Sequence, residues 1–155
     1  MAEEGSTIRI LNALTPVSLE DFDDRLKLQK LVFLARKMGY PIGYSFSWYA
    51  RGPYSPSLTR MLFSANEQDQ LALADPVLTA DEAGITRVLR EFLGSDVSNP
   101  RMLELLASVW YFMRKRTYSP PEKSTLIQKI LQRKPQFTED DVERAIDRIQ
   151  EFRGG

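Results

Sequence analysis

The stretch DFDDRLKLQKLVFLARKMG, from Asp21 to Gly39, decides the fold. Its apolar residues recur at helical spacing on two adjoining faces: Leu28, Leu31, Val32 and Ala35 on one, and Phe22, Leu26 and Phe33 on the other. An apolar arc this wide is typical of a helix at the centre of a core. We therefore expect a buried helix from Asp21 to Met38, preceded by a short N-terminal segment and capped by Ser18.

The residues after this helix change their hydrophobic period from about 3.6 to 2. Between Ile42 and Tyr49, aromatic side chains alternate with serines, which places Tyr44, Phe46 and Trp48 on one face. This alternation predicts a short β-hairpin or strand pair near residues 42–51. The dipeptide Gly52-Pro53 is the expected turn.

The rest of the sequence is predicted to be helical. Ser55-Pro56 is a helix start, Thr79 and Glu82 have the spacing of a capping box, and the C-terminal part reads as a helical hairpin capped by Thr138. The fold class is thus mainly α, a compact multi-helix domain with one short strand pair. A single domain over residues 1–155 is the simplest organisation, and residues 100–152 form an alternative helical sub-lobe.

The composition excludes several classes of function. The 155 residues include no cysteine and no histidine, which removes disulfides, catalytic triads with histidine and metal sites with thiolate or imidazole ligands. No glycine-rich phosphate loop is present, so we expect no cofactor. Without a signal-like start or a long apolar run, the expected location is cytoplasmic, with no membrane contact.

Carboxylates remain as catalytic candidates, but their positions favour a structural role. The two acidic groups lie at expected helix starts, where acids stabilise the helix dipole: Glu20, Asp21, Asp23 and Asp24, and Glu139, Asp140, Asp141 and Glu143. A carboxylate enzyme that uses magnesium is the least favoured alternative. We therefore expect a protein that is not an enzyme.

The stretch YSFSWYARGPYSPSL, from Tyr44 to Leu58, predicts a recognition surface. Tyrosine, tryptophan and arginine are enriched at binding hot spots, and two prolines stiffen this turn. Part of the stretch is expected to serve only as scaffold. The candidate residues for binding a protein partner, or a second copy of this chain, are Trp48, Tyr49, Arg51, Gly52, Pro53, Tyr54 and Pro56.

A local basic group gives an alternative function, DNA binding by a winged-helix-like regulator. The candidate nucleic-acid contacts are Arg114, Lys115, Arg116, Lys123 and Lys129. The whole chain has as many acidic as basic side chains, 21 of each, and the last predicted helix is acidic. Such a helix would repel phosphate.

Two motifs together resemble a known family. KLQKLVFLA at Lys27–Ala35 followed by FSWYARGPYSPSL at Phe46–Leu58 resembles the YwgA-like proteins of bacteria and archaea, and more distantly the Panacea or SocA-like antitoxin domain. The resemblance implies a small helical domain without enzymatic activity. It also implies a protein partner, either a toxin that is neutralised or a client that an adaptor delivers to a protease.

Overall fold

The structure, a computed structural model, describes residues 2–154, apart from the side chain of Ala2. These residues form seven α-helices, one 3-10 helix and a two-stranded antiparallel sheet, which confirms the mainly α fold with a short hairpin. In chain order the elements are α1 (Ala2–Leu14), α2 (Phe22–Lys37), β1 (Ser47–Tyr49), β2 (Gly52–Tyr54), α3 (Pro56–Glu67), α4 (Ala80–Leu93), the 3-10 helix (Gly94–Ser98), α5 (Pro100–Phe112), α6 (Pro120–Arg133) and α7 (Glu139–Gly154). None of the helices within residues 2–154 has the length and apolar character needed to cross a membrane.

The chain divides into two compact units. The first unit reaches Glu104 and contains α1 to α4 and the hairpin, and the second begins at Leu105 and contains α6 and α7. The boundary falls inside α5. It is close to residue 100, where the sequence analysis placed the start of an alternative sub-lobe.

Helix α2 is the buried helix that the sequence predicts. Every residue from Leu28 to Ala35 is buried, because the helix packs against α1, α4 and β2. The predicted cap is wrong, since Asp21 occupies the N-cap position without a side-chain bond. Ser18 lies too far ahead of the helix and instead accepts a hydrogen bond from the backbone N–H of Glu20 at 3.1 Å.

Helix α1 was not expected, because residues before Ser18 were treated as a short segment. Its inward face is apolar, with four buried side chains: Ile8, Ile10, Leu11 and Leu14. A bidentate ion pair joins it to α4, where Arg9 donates to the two carboxylate oxygens of Glu82 at 2.8 and 2.7 Å. The short periodic run Ile8 to Leu14 was the sequence signal for this helix.

The hairpin lies a few residues later than predicted. Its register pairs Ser47 with Tyr54, Trp48 with Pro53 and Tyr49 with Gly52. The turn residues are therefore Ala50 and Arg51, and the prediction of a turn at Gly52-Pro53 is wrong. Gly52 instead begins β2 with a φ of +95°, in the left-handed region that glycine adopts without steric cost.

The predicted caps of the later helices are confirmed. The Ser55 side chain accepts the backbone N–H of Leu58 at 3.3 Å, and Thr79 forms a complete capping box with Glu82. At the start of α7, Thr138 accepts the backbone N–H of Asp141 at 3.0 Å. These side chains satisfy N–H groups that a helix start leaves without a partner.

The second unit contains the predicted helical hairpin of α6 and α7. The two helices pack against each other and contribute seven buried apolar side chains: Leu126, Ile127, Ile130, Val142, Ala145, Ile146 and Ile149. The connecting turn also buries Phe137. A second capping box, between Ser119 and Glu122, begins α6.

Candidate functional site

Two buried polar side chains of α2 fix the segment that follows the hairpin turn. The carboxamide of Gln29 accepts the backbone N–H of Ser55 at 2.9 Å and donates to the Ser55 carbonyl at 3.0 Å. The Lys30 ammonium donates to the Pro53 carbonyl at 2.6 Å. Helix α2 therefore holds the backbone of the GPYS stretch through its side chains.

This arrangement follows from the position of the hairpin. A two-stranded sheet leaves one side of each strand without backbone partners, and buried backbone groups need hydrogen bonds. Gln29 lies on the same helical stripe as Leu26 and Phe33, so its polar end is carried into the interior beside β2. The structure thus joins the stretches Lys27–Ala35 and Phe46–Leu58, because one supplies the side chains and the other the backbone groups.

A cavity of about 420 Å³ opens between the start of α2, the hairpin turn and the first half of α3. Its walls are mostly apolar, and all of the lining residues belong to the first unit: Leu19, Phe22, Arg25, Leu26, Gln29, Lys30, Tyr49, Ala50, Arg51, Gly52, Tyr54, Thr59, Leu62 and Phe63. Clefts of this size and character are typical of binding sites.

Exposed aromatic side chains gather at this cavity. Among residues 3–154, four large apolar side chains stand out as exposed, and three of them line it: Phe22 at 50%, Tyr49 at 46% and Phe63 at 42%. The Tyr49 and Tyr54 rings meet edge to face, with centroids 5.0 Å apart. Exposed apolar side chains that cluster around a concavity mark an interaction surface, whereas isolated ones do not.

Arg51 is both anchored and accessible. Its Nε donates to the buried carboxylate of Glu104 at 2.9 Å, and its guanidinium carbon lies 5.0 Å from the centroid of the Phe22 ring. The side chain nevertheless stays 51% exposed. The contacts hold the guanidinium at the cavity in one orientation, which lowers the conformational entropy lost on binding.

Four of the seven predicted partner-binding residues line the cavity, namely Tyr49, Arg51, Gly52 and Tyr54. The lining does not include Trp48, Pro53 or Pro56. Pro53 is buried in β2, and its carbonyl accepts the hydrogen bond from Lys30. Tyr54 is half-buried, and its hydroxyl lies 2.6 Å from the Thr59 hydroxyl oxygen.

Several residues that line the cavity were not predicted from the sequence. Gln29 and Lys30 were overlooked, although two polar residues in the middle of a wide apolar arc are a signal for buried hydrogen bonds. Phe63 was also missed. It lies off the predicted inward face of α3, and a single apolar residue at such a position is no signal until the structure shows its neighbours.

The predicted nucleic-acid residues lie in the second unit, and two of the lysines are paired with acids. Lys115 donates to the Glu122 carboxylate, and this bond holds the pKa of Glu122 at about 2. Lys123 donates to Asp147 at 2.6 Å, which raises the pKa of the lysine, and lies 3.7 Å from Glu143.

The other three predicted nucleic-acid residues have different partners within the second unit. Arg114 donates to the backbone carbonyl of Tyr111 at 3.1 Å, and Arg116 donates to that of Arg153 at 3.4 Å. The Lys129 ammonium lies 5.1 Å from the centroid of the Phe112 ring. Residues 105–154 contain no strand that would form a wing.

The cavity presents apolar walls, exposed rings and nitrogen donors, and no aspartate or glutamate is among its lining residues. The described residues include no group of three or more acids, histidines or cysteines that would hold a metal ion.

No protein-family model, curated protein or solved structure matches this chain.

Proposed function

We propose that this protein is a non-enzymatic protein-binding module, antitoxin-like or adaptor-like, that recognises a partner protein through the aromatic surface around the cavity. The observation that carries the proposal is the convergence of Phe22, Tyr49 and Phe63 on one apolar concavity beside Arg51. Aromatic and arginine side chains in such a setting are typical of hot spots. The resemblance to YwgA-like and Panacea-like proteins supports the same class of function.

The rigidity of the site supports binding by preformed anchors. The bonds from Gln29 and Lys30 to the turn, together with the Arg51–Glu104 pair, restrain the segment before any partner arrives. Side chains ordered in advance lose less conformational entropy in a complex. The partner is expected to bind without a large change in the turn.

Site-directed photocrosslinking tests this function. Phe63 is replaced by a photoreactive phenylalanine analogue in the full chain, and Val77, which is 85% exposed and does not line the cavity, is replaced in the control. We expect a protein adduct from position 63 that position 77 does not give, in nuclease-treated lysate. The adduct identifies the partner by mass spectrometry.

The affinity of the purified partner for the wild type and for a cavity variant then tests the proposed function directly. The variant Phe63→Ser should weaken binding at least about tenfold, the effect of losing one hot-spot side chain, without loss of stability. Identical adducts from both positions, or equal binding by Phe63→Ser, would contradict the proposal. Material that crosslinks only without nuclease would instead favour the DNA-binding alternative.

A further inference from the structure

The charged side chains around the cavity are unequal in sign. Three lining residues carry cations, Arg25, Lys30 and Arg51, and no lining residue is acidic within the described chain. Four acids are adjacent in sequence to lining residues, namely Glu20, Asp21, Asp23 and Asp24, and all four lie outside the lining. Asp24 lies 3.5 Å from the Lys27 ammonium. The charged residues that line this mostly apolar cavity are therefore all cationic, and Arg25 and Arg51 are not buried.

The two arginines differ in their partners, because Arg25 donates to neutral carbonyls and Arg51 is paired with a carboxylate. Arg25 donates Nη1 to the backbone carbonyls of Leu19 and Glu20, at 2.6 and 3.1 Å, and these acceptors are neutral. Arg51 is paired with Glu104 through Nε, so its exposed guanidinium keeps further N–H donors for a ligand. A planar guanidinium fixed in this way suits a carboxylate, which it binds with two parallel hydrogen bonds.

From this charge pattern, and resting on the proposed function, we infer that the partner segment that enters the cavity carries a large apolar side chain with an aspartate or glutamate beside it. The apolar side chain packs on Phe22, Tyr49 and Phe63, and the acidic side chain meets Arg51. An apolar anchor alone would fit many exposed sequences. The flanking acid supplies selectivity, because a lysine in its place would face Arg25 and Arg51.

Peptide display on the purified full chain tests this inference. A library of short random peptides is selected on the wild type and on the variant Phe63→Ser, and the bound sequences are counted. We expect wild-type selection to enrich peptides in which Asp or Glu lies within about two positions of Leu, Ile, Phe or Trp, and Phe63→Ser to lose them.

A matched pair of variants measures how the charge at the cavity mouth affects the binding of an acidic peptide. Ala50 is exposed in the turn and lines the cavity, so Ala50→Glu and Ala50→Lys change the charge at the mouth and leave both residues of the Arg51–Glu104 pair unsubstituted. For a purified acidic peptide, Ala50→Glu should weaken binding about fivefold and Ala50→Lys should leave it equal or tighter, since one exposed charge pair is worth up to about 1 kcal/mol. Unfolding curves should be alike for both variants.

The outcomes separate the inference from the proposed function. Enriched peptides that are apolar but not acidic, or equal binding to the two Ala50 variants, would overturn the inference and leave the proposed function standing. No enrichment over the Phe63→Ser variant would contradict both. A chain that sediments as a dimer, and as a monomer after Phe63→Ser, would show that a second copy occupies the cavity, which also overturns the inference.

Discussion

The side-chain carboxamide of Gln29 is paired with both backbone groups of Ser55, accepting its N–H at 2.9 Å and donating to its carbonyl at 3.0 Å. The same amide nitrogen also donates to the Thr59 hydroxyl at 2.8 Å. One side chain of α2 therefore sets the position of the residue that caps α3. The geometry of the cavity depends on this contact, because α2 and α3 form two of its walls.

Replacing Gln29 by alanine is expected to lower the free energy of unfolding by about 2–4 kcal/mol, because buried backbone groups of Ser55 lose their partner and a cavity remains. Urea denaturation measures this change. Gln128→Ala is the matched control, since Gln128 is exposed in the interior of α6 and its bond to Glu139 lies at the surface. The control should change stability by no more than about 0.5 kcal/mol. Equal effects of the two variants would contradict a structural role for the Gln29 contact.

Two glycine substitutions are expected to change stability in opposite directions. Gly52→Ala should destabilise the protein by about 1–2 kcal/mol, because φ is +95° at that position and a Cβ atom is strained there. Gly84 lies inside α4, and a Cβ atom added to it would meet nothing within 4 Å. Gly84→Ala should therefore stabilise the protein by about 0.5–1 kcal/mol. Thermal unfolding of both variants checks this, and a stabilising Gly52→Ala would show that position 52 accepts a Cβ atom without strain.

The ion pair between Arg9 and Glu82 predicts a loss of stability in acid. The hydrogen bond from Arg9 lowers the pKa of Glu82 from 4.5 to about 2. A carboxylate with a depressed pKa stabilises the fold above its ordinary pKa, and this contribution disappears as the pH falls toward 2. The shift corresponds to a contribution of the order of 3 kcal/mol.

Urea unfolding of the wild type and of Glu82→Gln as a function of pH measures this contribution. The glutamine keeps the size of the side chain and cannot ionise. The stability difference between the two proteins should be largest above about pH 5 and should shrink as the pH falls toward 2. A difference that does not change with pH would show that the charge of Glu82 contributes nothing.

The sequence predicted the elements whose signals are local. The apolar arc of α2 and the caps at Ser55, Thr79 and Thr138 depend on neighbours within a few residues, and the structure confirms them except at Phe22, which is 50% exposed. The alternation from Ile42 to Tyr49 predicted a longer strand than the observed Ser47–Tyr49. The turn was predicted at Gly52-Pro53 because Gly-Pro is a turn signal. In the structure Gly52 is instead the first residue of β2, where it adopts a positive φ.

The candidate site could be predicted only in part, because long-range contacts decide it. Arg51 and Tyr54 were identified from residue type, but the pairing of Arg51 with Glu104 joins positions 53 residues apart. Nothing in the local pattern specifies that partner. The cavity likewise needs Phe22 and Phe63 from separate helices, and only the tertiary structure brings them to the same opening.

The second unit is expected to bind duplex DNA weakly and with little dependence on salt. Acids pair with two of the five predicted contact residues, Lys115 and Lys123, which reduces the number of cations that can release counterions from phosphates. A protein with six to ten phosphate contacts loses about a thousandfold or more in affinity between about 50 and 200 mM salt. We expect the affinity of this protein for duplex DNA to change by less than about tenfold over the same range. Fluorescence anisotropy of a labelled duplex at the two salt concentrations measures the affinity and its salt dependence. A steep salt dependence that disappears in the triple variant Arg114→Ala, Lys115→Ala, Lys129→Ala would contradict this expectation and favour the DNA-binding regulator.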